Sequence, residues 1–154
     1  MTAEINRQVA LPQQPFFEDV NVGDEITPLT KPPVTQVQLA RYAGASGDFN
    51  PLHIDPSVGQ SLGIGGTIAH GMLIMGFLGN LISDYLGGPM NLKHYQVRFL
   101  AMTRPGDEIT CIGKITRKFE ENGEGFIEAE VLASDAKGEK KASGTFTAAL
   151  PRRS

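Results

Sequence analysis

Three observations predict an α+β domain, with one antiparallel sheet curled around a central helix. The stretch "HGMLIMGFLGNLISDY", from His70 to Tyr85, is apolar nearly all round, as a helix buried on most sides must be. After Pro89 the chain changes to period-two alternation, broken by turn signals at "RPGD", at Asn122-Gly123 and at "DAKGEK". The length of 154 residues and the 40% apolar content suit one domain with a real core.

The elements follow in order. "FFEDVNVGDEIT" reads as a lead-in, a turn at Gly23-Asp24 and a first strand, which Pro32-Pro33 stops. A helix starts at Thr35, where Thr35 and Gln38 fit a capping box. Leu39, Tyr42 and Ala43 give it a buried face, and Gly44 and Gly47 end it. Asp55-Pro56 reads as an N-cap and first helical residue of a short turn reaching about Leu62, followed by the loop "GIGGT". Gly71, Gly76 and Gly79 would each weaken the buried helix by up to ~1 kcal/mol, which close approach of another backbone would justify. In the strands, Tyr95, Val97, Phe99 and Ala101 share one side. So do Ile109, Cys111 and Ile115, and then Ile127, Ala129, Val131 and Ala133. Asn122-Gly123 predicts a tight hairpin, and "ASGTFTAAL" supplies the last strand.

A formal charge of −3 argues against a general nucleic-acid role. The lone cysteine, Cys111, cannot form an intramolecular disulfide, fits a reducing cytoplasm and reads as a small core residue. Residues 1–15 lack the apolar run of a secretory signal and read as a flexible leader. The longest apolar run, Met72 to Leu78, is too short to span a bilayer.

The chemistry concentrates in "SGDFNPLHID". Asp48 and His53 are five residues apart, up to ~17 Å if extended, which is too far to share a water. Gly47, Asn50 and Pro51 supply a bend that can bring both into one pocket. Equally, Asp48 and Asn50 can be turn formers that bond nearby amides, with His53 a satisfied surface residue. Asp55 belongs to capping. The histidines at 53, 70 and 94 lack metal-site spacing, and no nucleophile elbow, P-loop or dinucleotide fingerprint occurs, so no metal or cofactor is expected. A second feature is "IAHGM", which opens the buried helix: unpaired N–H groups there polarise a carbonyl, and Gly71 lets one approach, or else lets helix and sheet touch.

"YAGASGDFNPLHID" followed by "IAHGM", with the later "VRFLAMTRPGDEI", resembles the MaoC-like hydratases, or (R)-specific enoyl-CoA hydratases. The resemblance covers residues 16–150 and leaves a leader and a tail at 151–154. It implies a single hot-dog fold and reversible hydration of a trans-2-enoyl thioester to the (R)-3-hydroxyacyl thioester. It also implies Asp48 and His53 as the catalytic pair, Asn50 as a holder of the reacting water, and Gly71 as the N–H that meets the thioester carbonyl. A homodimer and a CoA or acyl-carrier-protein substrate follow from the same likeness. Lys93, Arg98, Arg104 and Lys114 are candidates for phosphate contact, which a solvated strand face explains equally well. The competing readings are a catalytic subunit of a (3R)-hydroxyacyl-carrier-protein dehydratase, a hot-dog thioesterase, and a non-catalytic acyl-binding partner.

Overall fold

A computed structural model describes residues 14–153, so most of the expected leader, residues 1–13, lies outside the described residues. The elements are β1 (Glu25–Lys31), α1 (Gln36–Ser46), α2 (Pro56–Ser61), α3 (Gly71–Leu86), β2 (Leu92–Phe99), β3 (Ile109–Glu121), β4 (Glu124–Asp135) and β5 (Lys140–Leu150), with single 3₁₀ turns at Phe17–Asp19 and Pro51–His53. The strands form one antiparallel sheet in the order β1-β3-β4-β5-β2. The last strand therefore sits inside the sheet, and β1 and β2 are its edges. This is the α+β arrangement expected of a single hot dog, with α3 against all five strands.

Local sequence explains most boundaries. Thr35 Oγ1 accepts from the Gln38 N–H and caps α1. Gly47 ends it at φ 75°, a conformation that favours glycine, while Gly44 lies within the helix. Asp55 caps α2, with Pro56 in the first helical position. The β3–β4 hairpin turns at Asn122 (φ 52°) and Gly123 (φ 82°), the two positive values that a two-residue hairpin loop requires.

The core lies between α3 and the sheet. Leu78, Leu81, Ile82 and Leu86 of α3 are buried against Ile109, Cys111 and Ile115 of β3, Ile127, Ala129 and Ala133 of β4, and Phe146 of β5. Burying each such aliphatic side chain contributes about 1.5–3 kcal/mol.

The central helix is buried on most sides, with Met72, Gly76 and Asp84 facing outward. Two expectations need correction. Among the described residues no second backbone approaches the helix glycines: a Cβ at Gly76 would meet nothing within 4 Å, and at Gly71 and Gly79 the neighbours are the rings of Phe99 and Tyr95. Phe99 also departs from the alternation. Tyr95 and Val97 pack on the core, but Phe99 ends edge strand β2 and is 48% exposed. Strand β5 pairs with only one side of β2, so the other side is an edge unpaired among the described residues.

The C-terminal residues are tied down. Pro151 O accepts from Phe17 N–H, while the Arg152 and Arg153 guanidiniums pair with Glu18, Glu120 and Asp19.

Candidate active site

The bend between α1 and α2 is built from nested side-chain-to-backbone bonds. Ser46 Oγ accepts from Asp48 N–H, Asp48 Oδ1 from Asn50 N–H, and Asn50 Oδ1 from Leu52 N–H. Asp48 and Asn50 are therefore turn formers, as the plainer sequence reading held. The turn uses only one oxygen of Asp48. The other, Oδ2, faces His53 Nε2 at 4.0 Å. That separation is too long for a direct hydrogen bond and suits one water held by both groups. Asn50 has its Oδ1 committed, so what it can offer a water is its Nδ2 amide, a donor.

His53 is fixed from behind. Its Nδ1 is 2.8 Å from Ile68 O. A carbonyl only accepts, so Nδ1 carries a proton, and in the neutral ring Nε2 presents a lone pair. The Asp48 side chain is 53% exposed and that of His53 is 12% exposed, so the pair joins solvent to interior. Gln36, at the start of α1, braces the same loop: its Nε2 donates to the His53 and Ile54 carbonyls, and its Oε1 accepts from Thr67 Oγ1 at 2.6 Å. The Ala69 N–H donates to Thr103 O at 2.7 Å, which joins the α3 entry to the segment after β2. Neither Gln36 nor Thr103 stood out in the sequence. Contacts spanning more than 15 residues leave no local signal.

Gly71 opens α3, and among the described residues no protein acceptor takes its N–H. Gly71 and His53 line a recess of about 450 Å³ with Ile68, Ala69, Ile74, Phe99, Leu100, Ala101, Met102, Thr103 and Lys141. Asp48 lies outside this lining and meets the recess through His53. The walls are mostly apolar, with His53, Thr103 and Lys141 as the polar side chains, a common composition for a small-molecule site. A larger hollow, about 840 Å³, runs across the sheet past Ile112, Leu132 and Thr145. It contains none of the site residues. Arg98 and Lys114 line that hollow, not the recess, and the Arg104 guanidinium, also outside the recess lining, donates from Nη1 to Ile64 O. Asp48, His53 and His70 each offer a ligand-type atom within 4.8 Å of the others, closer company than the sequence spacing implied. His70 Nε2, however, bonds to Asp48 O.

The profile of the MaoC like domain matches residues 18–136. The (R)-specific enoyl-CoA hydratase of Rhodospirillum rubrum is 32% identical over 102 residues, which is 66% of this chain and 69% of that protein. The fatty acid synthase subunit beta of Schizosaccharomyces pombe is 34% identical over 103 residues, 64% of this chain, but the chain spans only 5% of that subunit's length. Among solved structures, an R-hydratase from Pseudomonas aeruginosa in the unliganded form superposes with a TM-score of 0.78 at 22% identity, over 89% of this chain and 86% of that one. At that identity the likeness carries the hot-dog fold alone.

Proposed function

Because the chain belongs to the MaoC-like domain family, we propose that it adds water reversibly to trans-2-enoyl thioesters and forms the (R)-3-hydroxyacyl thioester. The observation that carries this reading is the facing of two proton acceptors, Asp48 Oδ2 and the His53 Nε2 lone pair, at a one-water separation beside a helix N-terminus. A water between them gives a hydrogen to each. As the pair takes one proton, the water oxygen bonds to C3 and the C2–C3 π electrons move to the thioester oxygen. The Gly71 N–H and the positive end of α3 stabilise that oxygen. The enolate then takes the same proton back at C2 from the same face. The sum is addition of one water, so no redox partner or cofactor is required. General acid–base work of this kind typically contributes about 10²–10⁴-fold, and a preorganised donor about 3–4 kcal/mol.

The working form we propose is a homodimer in the cytoplasm. The outer side of edge strand β2 is unpaired among the described residues, and exposed Phe99, Leu100 and Met102 lie beside the recess. Natural proteins cover such edges. Among the described residues no helix is long and apolar enough to cross a membrane. The acyl group and its carrier, CoA or carrier protein, are decided by assay. Purified, chelator-treated protein is given a panel of enoyl-CoA and enoyl-carrier-protein thioesters. Loss of enoyl absorbance with an (R) product supports the proposal. Release of free thiol from saturated acyl-CoA, without hydration, overturns it in favour of a thioesterase.

A further inference from the structure

His70 has no part in the chemistry above, yet it is the most enclosed ionisable group at the site. It is 2% exposed. Its ring stacks on that of His53, with centroids 3.8 Å apart and planes 25° apart, and the Tyr42 ring lies tilted against it with centroids 4.8 Å apart. Its Nε2 is 3.1 Å from the main-chain oxygen of Asp48. That oxygen can only accept, so the Nε2–H donates. In the neutral ring Nδ1 then holds a lone pair, and it is buried with no hydrogen-bond partner among the described residues.

We propose that His70 is a positioning residue that sets the gap between Asp48 and His53. This rests on the hydratase reading above. The two halves of the pair are held by different devices. The Asp48 carboxylate belongs to an exposed turn, and the His53 ring hangs from Ile68 O. His70 touches both: it hydrogen-bonds the main chain of the first and stacks on the ring of the second. A hydrogen bond fixes the height of Asp48 above α3, and a flat ring contact stops His53 from tilting. Together they hold the Oδ2–Nε2 distance at the span of one water. His70 also precedes Gly71 directly, so the residue that spaces the pair is part of the helix entry that faces the thioester oxygen.

The test divides the two contacts. His70→Phe keeps a flat ring and loses the N–H. His70→Gln keeps an N–H donor and loses the ring. Each is made in the wild-type background and in Asp48→Asn, and kcat and KM for an enoyl-CoA hydrated by the wild type are measured. In parallel, the ring ¹⁵N shifts of the wild-type histidines are recorded by NMR. The expected result is a loss of about tenfold or more in kcat for His70→Phe, with KM within about threefold, and a smaller loss for His70→Gln. Both losses shrink to near nothing in Asp48→Asn, because groups that act as a unit are not additive. The NMR result expected is an Nε2–H form for His70 and an Nδ1–H form for His53. Wild-type kcat in His70→Phe, or the same fold-loss in both backgrounds, overturns the proposal. So does an Nδ1–H tautomer of His70, which would leave no hydrogen on Nε2 for the Asp48 oxygen. If His70→Phe fails to fold, His70→Gln and the ring spectrum decide. If the wild type hydrates no enoyl thioester, the hydratase reading fails, and the ring spectrum still decides whether His70 bonds to Asp48.

Discussion

Gly71 and Gly76 lie on the same helix five residues apart, and the structure assigns them opposite responses to a side chain. A Cβ built on Gly71 would stand 3.1–3.2 Å from three ring atoms of Phe99. That is tighter than ordinary van der Waals contact, but the ring is at the end of an edge strand, half exposed and able to swing. Gly71→Val should therefore cost no more than about 1–2 kcal/mol of stability, the lower range for overpacking. Its methyl groups and the displaced ring should fill the mouth of the recess in front of the Gly71 N–H. Loss of one such donor costs about 10²–10³-fold in kcat, so kcat should fall towards that range. At Gly76 nothing lies within 4 Å and the backbone is helical. Gly76→Ala should stabilise the protein by about 0.4–1 kcal/mol through helix propensity and the unfolded chain, with turnover unchanged. Urea unfolding and initial-rate hydration on the same preparations read both effects. An unfolded Gly71→Val would show that the glycine serves packing. A folded Gly71→Val with wild-type kcat would show that the helix entry does not meet the reacting carbonyl.

Lys141 is 4% exposed, and its ammonium meets Asp107, Asp135 and Glu139 as well as Met102 O. Lys141→Met strands these partners and should cost about 2–3 kcal/mol, a fall of roughly 5–10 °C in Tm for a domain of this size, read by calorimetry. The backbone N–H of Glu139 foremost, and then Lys141 and the Lys137 N–H, outweigh the opposing effect of burial and hold the Asp135 carboxyl below the usual carboxylate range. A depressed folded value means stability present above the unfolded pKa and lost as pH falls through the folded one. Tm should therefore fall as pH drops below about 4, and fall less steeply in Asp135→Asn. Burial pushes the Cys111 thiol up to about 11. Iodoacetamide at pH 8 should leave it unlabelled in the native protein and label it quickly in urea. Rapid native labelling would place Cys111 outside the core.

What the sequence disclosed was local. The Thr35 and Asp55 caps, the Asn122-Gly123 turn and the buried sets on β3 and β4 each depend on residues a few positions apart, and the structure has them as expected. The Asp48–His53 juxtaposition was legible for the same reason, because Gly47 and Pro51 bend a five-residue span. The placement of β2 beside β5 was not, since it joins strands about 50 residues apart. Phe99 has the period of a core residue, but the sheet ends beside it, and periodicity carries no information about edges. His70 reads as a helix start in sequence. Its bond to Asp48 and its stack on His53 appear only when two loops meet.

The central claim is that Asp48 and His53 hold and deprotonate one water as a unit. Its most direct test is the initial rate of hydration of a short enoyl-CoA by wild type, Asp48→Asn, His53→Ala and the double variant, with product configuration read by a chiral method. Asn keeps an oxygen for the Asn50 N–H, so the turn and the thermal stability should survive. Each single change should lower kcat by about 10²-fold or more, the double change should cost little beyond the worse single, and the product should be (R). Near-wild-type turnover in folded Asp48→Asn, multiplicative losses in the double variant, or an (S) product would contradict the account.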